Sequence, residues 1–376
     1  MNIDWLSKES HCFLNARLPE GLQKNILKCF ASLEDKNFLG HIFLATSGTT
    51  ALSPQSIKFV ALSKQAFLQS SQAVNQHFHS TSQDCWLNVL PHFHVGGLSI
   101  FSRAYLSGAR VVNLYNETYK WDANIFIDTA ESARATICSL VPTQLYDLIQ
   151  LNLKAPKSFK AIIVGGGRLE NALFKKATSL GWPVFPSYGL TEACSQVATH
   201  NFKEDFETTN VGLTILPHII LKVDDKNNIL VKGNSLFTCH FFYNEGLLNY
   251  IDPKDKEGFY CTGDIGEVKK EKLFIYSRQD SVVKIGGENV NIAKLESIFN
   301  DIKFNNNMLS ECVLLPYEDI RLQNIITVVF ENSFKENKTQ IENLVETYNA
   351  NVLPYEKIRH VFFIDSIPKT ALGKIM

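Results

Sequence analysis

Short apolar runs alternate with longer stretches of helical spacing through the first half of this chain. His41-Ile42-Phe43-Leu44-Ala45-Thr46 reads as a strand running into a Ser/Thr/Gly loop. Cys85-Trp86-Leu87-Asn88-Val89-Leu90, Ala109-Arg110-Val111-Val112-Asn113-Leu114, Lys160-Ala161-Ile162-Ile163-Val164 and Pro183-Val184-Phe185 read as further strands. Each is a brief apolar run of the kind a buried sheet leaves in sequence. Residues 1–40 predict a helical lead-in, and helices are expected over about 59–79, 121–133, 142–152 and 169–180. Strands alternating with helices of this length point to parallel α/β layers.

The texture changes after about residue 210. Ile219-Ile220-Leu221-Lys222-Val223 and Asn228-Ile229-Leu230-Val231-Lys232 are short β runs joined by polar turns, which predicts an antiparallel subdomain packed on the α/β part. From residue 279 the pattern is a helix (about 291–301), strands (about 311–316 and 324–331) and a helix (about 336–349). The expected fold is therefore α/β: a large N-terminal α/β domain over 1–278 with a β subdomain, plus a small α+β C-terminal domain over 279–376.

Composition narrows the class. A chain of 376 residues exceeds the about 250–300 at which single cores stop growing, so more than one domain is expected. Apolar content of 45% and charged content of 20% are those of a soluble globular protein. A net charge of −1 implies no bulk attraction to nucleic acid or to an anionic membrane. No apolar run approaches the roughly 20 residues that cross a bilayer, and Met1-Asn2-Ile3-Asp4-Trp5 does not open a secretory signal. The eight cysteines are scattered, without a Cys-x-x-Cys pair. Zinc or a disulfide framework is not expected, and a reducing cytoplasm is.

Five separated segments carry candidate chemistry. Thr46-Ser47-Gly48-Thr49-Thr50 offers hydroxyls and flexible backbone N–H groups suited to phosphate oxygens, although alone it reads equally as a polar loop. Tyr188-Gly189-Leu190-Thr191-Glu192 combines an aromatic ring, a hydroxyl and a carboxylate. Thr262-Gly263-Asp264 places a carboxylate after a turn, and Arg278-Gln279-Asp280 runs on to Gly286-Gly287-Glu288-Asn289. The fifth is the tail, Pro368-Lys369-Thr370-Ala371-Leu372-Gly373-Lys374. Beside them, Gly165-Gly166-Gly167 follows a strand at its carboxyl end, where α/β sheets bind ligands and where glycine permits close backbone approach.

In this order and spacing the five segments resemble the adenylate-forming superfamily of acyl-CoA synthetases, peptide-synthetase adenylation domains and luciferases. That resemblance implies ATP, Mg²⁺ and coenzyme A as small-molecule partners of a carboxylic acid, with a homodimer as one possible assembly. It implies phosphate contacts from the Thr46–Thr50 loop, adenine against Tyr188 and the Gly165–Gly167 loop, phosphate at Thr191, Mg²⁺ at Glu192, and ribose at Asp264 and Arg278. It makes Asp280 a hinge and Gly286-Gly287-Glu288 the segment brought in for the CoA step by a mobile C-terminal domain. Lys374 becomes the cation on the α-phosphate. The chain departs from the family pattern in its phosphate loop. Ala51-Leu52-Ser53-Pro54-Gln55-Ser56-Ile57 stands before Lys58, so the loop is longer and lacks its second glycine, with Lys58 in the place of the family lysine.

Two further stretches resemble the o-succinylbenzoate–CoA ligase branch, which serves menaquinone biosynthesis. They are Leu90-Pro91-His92-Phe93-His94-Val95-Gly96-Gly97-Leu98-Ser99-Ile100, continuing to Arg103, and Tyr188 to Thr199. A dicarboxylate substrate implies donors for the carboxylate that does not react, and His94, Arg103, Thr191 and Ser195 are the candidates. The alternatives are another aryl or fatty acyl-CoA synthetase, a carrier-protein ligase, and a degenerate adenylate-binding protein without turnover.

Overall fold

The computed structural model describes residues 3–33, 35–46, 57–116, 120–202, 209, 212–306, 308, 310–332 and 338–369. One sheet of eleven strands forms the backbone of the large unit. Its parallel half runs, in spatial order, Arg110–Asn113, Cys85–Asn88, Ile137–Leu140, Ala161–Val164 and Val184–Leu190. Ala161–Val164 is a continuous apolar run, and Cys85–Asn88 and Ile137–Leu140 are likewise buried along their whole length, because helices cover both faces of a parallel sheet. Asn171–Ser179 and Pro142–Gln150 bury Leu173, Phe174, Leu145, Leu148 and Ile149 in one core with Leu87, Cys138, Ile162 and Trp182.

Val184–Leu190 is the seam. It pairs in parallel with Ala161–Val164 on one side and antiparallel with Ser195–Thr199 on the other. The sheet then continues antiparallel through Leu213–Ile215, Lys272–Arg278, Tyr260–Lys269, Asn228–Gly233 and Ile219–Val223. The strands expected as a separate antiparallel subdomain are therefore hydrogen-bonded into the same sheet. Local sequence marks such strands but not their partners, which lie far away in the chain.

A second sheet of five strands, His11–Phe13, His41–Ala45, Ile57–Ser63, Cys239–Asn244 and Leu247–Ile251, packs beside it. It corrects two expectations. The span 59–79 is not one helix: Ile57–Ser63 is a strand held on both sides by His41–Ala45 and Cys239–Asn244. The helix begins only at Lys64, where the Ser63 side chain accepts from the Ala66 N–H as its N-cap. Phe59-Val60-Ala61-Leu62 is fully buried on both faces, which is why its apolar run carried no strand alternation. Within 1–40 the lead-in holds one α-helix, Glu20–Ala31, preceded by the strand His11–Phe13. A further helix, Val95–Ser107, ends on Gly108 in the left-handed region (φ 70°).

The large sheet ends at Arg278, and Gln279–Ser281 forms a single 3-10 turn. The smaller α+β unit follows. Val282–Ile285 and Glu288–Asn291 form a hairpin whose two-residue turn is Gly286-Gly287, both at positive φ (60° and 92°). Cys312–Asp319, Gln323–Glu331 and Ile358–Ile364 form a three-stranded sheet. The helices Ile292–Asn305 and Lys338–Ala350 pack on it through Leu295, Phe299, Leu344 and Tyr348. This core is separate from those of the large unit.

The helix Ile292–Asn305 also docks on the large unit. Ser297 Oγ donates to Glu170 Oε2 at 2.6 Å, the Ala172 N–H donates to Asp301 Oδ1 at 3.3 Å, and Phe304 meets Tyr146 edge-on. Burial, and then the Glu170 charge across the junction, push the Glu296 carboxyl up to about 7. A carboxyl with a raised folded pKa holds its proton more tightly in the folded state. Its stabilising contribution is complete below the ordinary value of 4.5 and is lost as pH climbs through about 7. Glu296→Gln removes the charge and is expected to raise the melting temperature by about 3 °C at pH 8 and to leave it unchanged at pH 4.5. Thermal melts at the two pH values test this; equal shifts at both would assign the effect to packing instead.

Candidate active site

A cavity opens at the carboxyl end of the seam, where the sheet changes from parallel to antiparallel pairing. Of the residues singled out in the sequence, Thr46, Lys58, His94, Arg103, Gly165, Gly166, Gly189, Thr191, Glu192, Ser195, Asp264 and Arg278 line it together. They come from ten different elements or loops, which is what convergence on one ligand requires. Ser47, Gly48, Thr49, Thr50 and Lys374 lie outside the described residues. Gly286, Gly287 and Glu288 form the hairpin tip of the small unit and do not line the cavity; the backbone of Asp280 sits in the 3-10 turn Gln279–Ser281.

Strand register sets the Asp264 part of the cavity. Asp264 and Arg278 are directly opposed on adjacent antiparallel strands, with Arg278 Nη1 at 3.8 Å from Asp264 Oδ1. The Asp264 N–H donates to Thr262 Oγ1 at 3.0 Å, and the Thr262 hydroxyl donates to the Ile229 carbonyl at 3.0 Å. Tyr188 does not line the cavity. Its hydroxyl donates to Asp264 Oδ2 at 2.5 Å, and burial together with the Asp264 charge keeps that hydroxyl protonated. Tyr188 thus orients the carboxylate rather than offering an open ring face. Gly167 also lies off the cavity, turned against the Pro142 ring.

Glu192 sits in the 3-10 turn Thr191–Ala193 that follows the seam strand, and is 7% exposed. Its Oε1 accepts from Lys58 Nζ at 3.2 Å, from His240 Nε2–H at 3.1 Å and from the Tyr260 hydroxyl at 3.4 Å. Burial alone would raise this carboxyl, but the His240 hydrogen bond and the Lys58 charge outweigh it and hold it down at about 2. No side-chain donor among the described residues reaches Oε2. Nor do the described residues contain a cluster of three or more His, Cys, Asp or Glu able to hold a metal by themselves. One ionised carboxylate with a free oxygen fits Mg²⁺, a hard ion that takes most of its ligands from substrate phosphates and water. Lys58 and Thr46 close the same end, the Thr46 N–H donating to the Lys58 carbonyl at 2.9 Å.

Arg103 also lines the cavity, from the helix Val95–Ser107, and is only 1% exposed. Its Nη2–H donates to Ser195 Oγ at 3.1 Å, and its guanidinium stands 5.5 Å from the Trp86 ring centroid. No carboxylate among the described residues pairs with it. Burial draws its pKa down to about 9, and nearby His218 is itself held at about 4 by burial, so that imidazole is neutral. Ser195 carries a backbone φ of 102°, directly after Cys194 at 54°. A non-glycine residue in that region costs of order 1–3 kcal/mol and persists where the surroundings hold it, as functional sites do. Gly189 explains the close approach: a Cβ there would collide with the Ser195 carbonyl across the strand pair.

Ser139, Ser187, Gln196, Tyr260 and Thr262 line the cavity too. Ser187 and Gln196 face each other across the seam, Gln196 Nε2 donating to Ser187 Oγ at 2.9 Å. Gln196 stands inside the Tyr188–Thr199 stretch without having been singled out, and Ser187, just before that stretch, shares a strand face with Gly189. His240 stood in no motif.

Residues 42–237 match the AMP-binding enzyme family. The chain is 28% identical over 380 residues to the 2-succinylbenzoate–CoA ligase of Bacillus pumilus, covering 95% of this chain and 71% of that protein. It is 29% identical over 340 residues to the enzyme of the same name from Staphylococcus epidermidis, covering 88% and 67%. Among solved structures, the o-succinylbenzoate CoA synthetase of Bacillus subtilis in complex with its acyl-adenylate intermediate superposes with a TM-score of 0.74 at 24% identity, over 89% of this chain and 67% of that one. The chain thus spans roughly two thirds of the length of these relatives, and no helix among the described residues is long and apolar enough to cross a membrane. Matched over more than half its length, the chain belongs to the AMP-binding enzyme family.

Proposed function

We propose that this chain is an ATP-dependent acid–CoA ligase acting on o-succinylbenzoate, through an acyl-adenylate. Arg103 carries the reading. A guanidinium buried in a cavity wall without an anionic partner is costly, and a ligand that brings its own carboxylate removes that cost. A dicarboxylic acid can leave one carboxylate on Arg103 and Ser195 and present the other to ATP. The relatives named for 2-succinylbenzoate support the same acid.

In the first step a carboxylate oxygen of the acid attacks the α-phosphorus and pyrophosphate leaves. Asp264 accepts from the ribose hydroxyls, Arg278 fixes Asp264, and the Gly165-Gly166 turn lets the nucleotide lie close to the backbone. Thr191 donates to phosphate, and Lys58 faces the triphosphate beside Glu192. Mg²⁺ held by Glu192 Oε2 would neutralise phosphate charge. Lys374, delivered by the small unit, stabilises the developing charge on the α-phosphate. In the second step the CoA thiolate attacks the acyl carbon, AMP leaves and the thioester forms. The boundary at 278/279, the hinge at Asp280 and the arrival of Gly286-Gly287-Glu288 for that step are parts of this proposal. The two-residue hairpin turn and the single turn at Gln279–Ser281 suit them.

Pyrophosphate release with o-succinylbenzoate, benzoate and a fatty acid, each with and without CoA, tests the reading. Release confined to the dicarboxylate, with thioester formed when CoA is added, is the expected result. Equal turnover of benzoate would remove the dicarboxylate assignment, and nucleotide binding with no release on any acid would identify a degenerate binding protein.

A further inference from the structure

The strand Cys239–Asn244 pairs antiparallel with Ile57–Ser63, placing Phe242 opposite Lys58 and His240 opposite Val60. Residues two apart on a strand share a face, so Lys58 and His240 are diagonal neighbours pointing the same way. Both reach the same oxygen, Glu192 Oε1, at 3.2 and 3.1 Å. They are not equivalent holders. Lys58 is a flexible ammonium beside the phosphate-loop stretch, and the triphosphate competes with Glu192 for it.

His240 is fixed on several sides. It is 5% exposed, it stacks on Phe237 with ring centroids 4.5 Å apart, and Tyr260 meets it edge-on at 5.8 Å. The lead-in to its strand is pinned as well. Lys254 Nζ donates to the Phe237 and Thr238 carbonyls at 3.0 and 2.9 Å, and the Phe237 N–H donates to the backbone carbonyl of Glu192 itself at 2.8 Å. A carboxylate only accepts, so the ring nitrogen facing it carries the hydrogen.

We infer that His240 is a positioning residue for the metal carboxylate. By holding Oε1 it keeps Glu192 turned so that Oε2 faces the triphosphate when Lys58 leaves for the phosphates. This rests on the proposed role of Glu192 toward Mg²⁺. Partners of this kind set ligand orientation, and their loss costs about 10–100-fold in metal affinity.

Calorimetric titration of ATP into the protein, with Mg²⁺ and separately with EDTA, distinguishes the possibilities. His240→Phe keeps the ring and the stacking on Phe237 but loses the donor; it is expected to weaken ATP binding about tenfold with Mg²⁺ and to leave the Mg²⁺-free affinity unchanged. His240→Gln restores an N–H donor and is expected to recover most of the loss. Glu192→Gln is the control for the underlying reading and should abolish the Mg²⁺ dependence. If it does so while His240→Phe binds like wild type, the positioning role fails and the metal role stands. If Glu192→Gln leaves the Mg²⁺ dependence intact, the metal reading itself fails. Equal weakening of His240→Phe with and without Mg²⁺ would make His240 a packing residue and overturn the inference.

Discussion

Arg103→Met is expected to raise KM for o-succinylbenzoate by roughly two to three orders of magnitude, while KM for ATP stays within about twofold and the protein melts no lower than wild type. The first effect follows from leaving a ligand carboxylate buried without its cation, a loss of about 3–5 kcal/mol. The second follows from geometry: Arg103 touches Ser195 and Trp86, whereas Asp264, Arg278 and Glu192 are held by other partners. The third separates this arginine from an ordinary core residue. In the unliganded protein its charge is desolvated without a carboxylate in return, so an apolar side chain of similar length is neutral or stabilising. Initial-rate pyrophosphate assays at varied acid and varied ATP, with a thermal melt of each protein, check all three. Equal rises in both KM values, or a melt lowered as by a core cavity, would remove the acid-binding assignment.

Lys374→Ala is expected to slow adenylation by roughly 10²–10³-fold, the scale for losing one charge-stabilising group in a reacting site. Conversion of supplied acyl-adenylate to thioester by the same variant should stay within about twofold of wild type. Lys374 itself lies outside the described residues, but its tether is visible. Ile367 is buried, its N–H donates to Glu331 Oε2 at 3.1 Å, and Lys369 pairs with Glu311. The tail is thus anchored to the small unit up to five residues before Lys374. Five extended residues reach at most about 17 Å, so the lysine goes where that unit carries it. Single-turnover assays of the two half-reactions decide the matter. An equal loss in both would make Lys374 a structural residue.

The parallel half of the fold was legible because its strands and helices differ in both length and period. Many of the residues that line the cavity were legible because they sit in short contiguous motifs. Ile57–Ser63 was not, since a strand buried on both faces loses the alternation that separates it from a helix. The helix Val95–Ser107 was hidden by Gly96, Gly97 and the preceding Pro91, residues that usually interrupt helices. Ser187 and His240 were unreadable for a different reason. Their side chains enter the cavity or reach its carboxylate through strand pairing between residues far apart in sequence, and no local spacing records that.

The helix bearing Arg103 has its own consequence. It brings Arg103 to the cavity from outside the eleven-stranded sheet, whose strands and turns present Asp264, Arg278, Glu192 and Ser195. Redrawing its inward surface would change which molecule is selected without retraining the machinery that spends ATP on it. A lineage could therefore diversify its diet of acids by editing a single thirteen-residue segment, with the energy-coupling apparatus inherited intact.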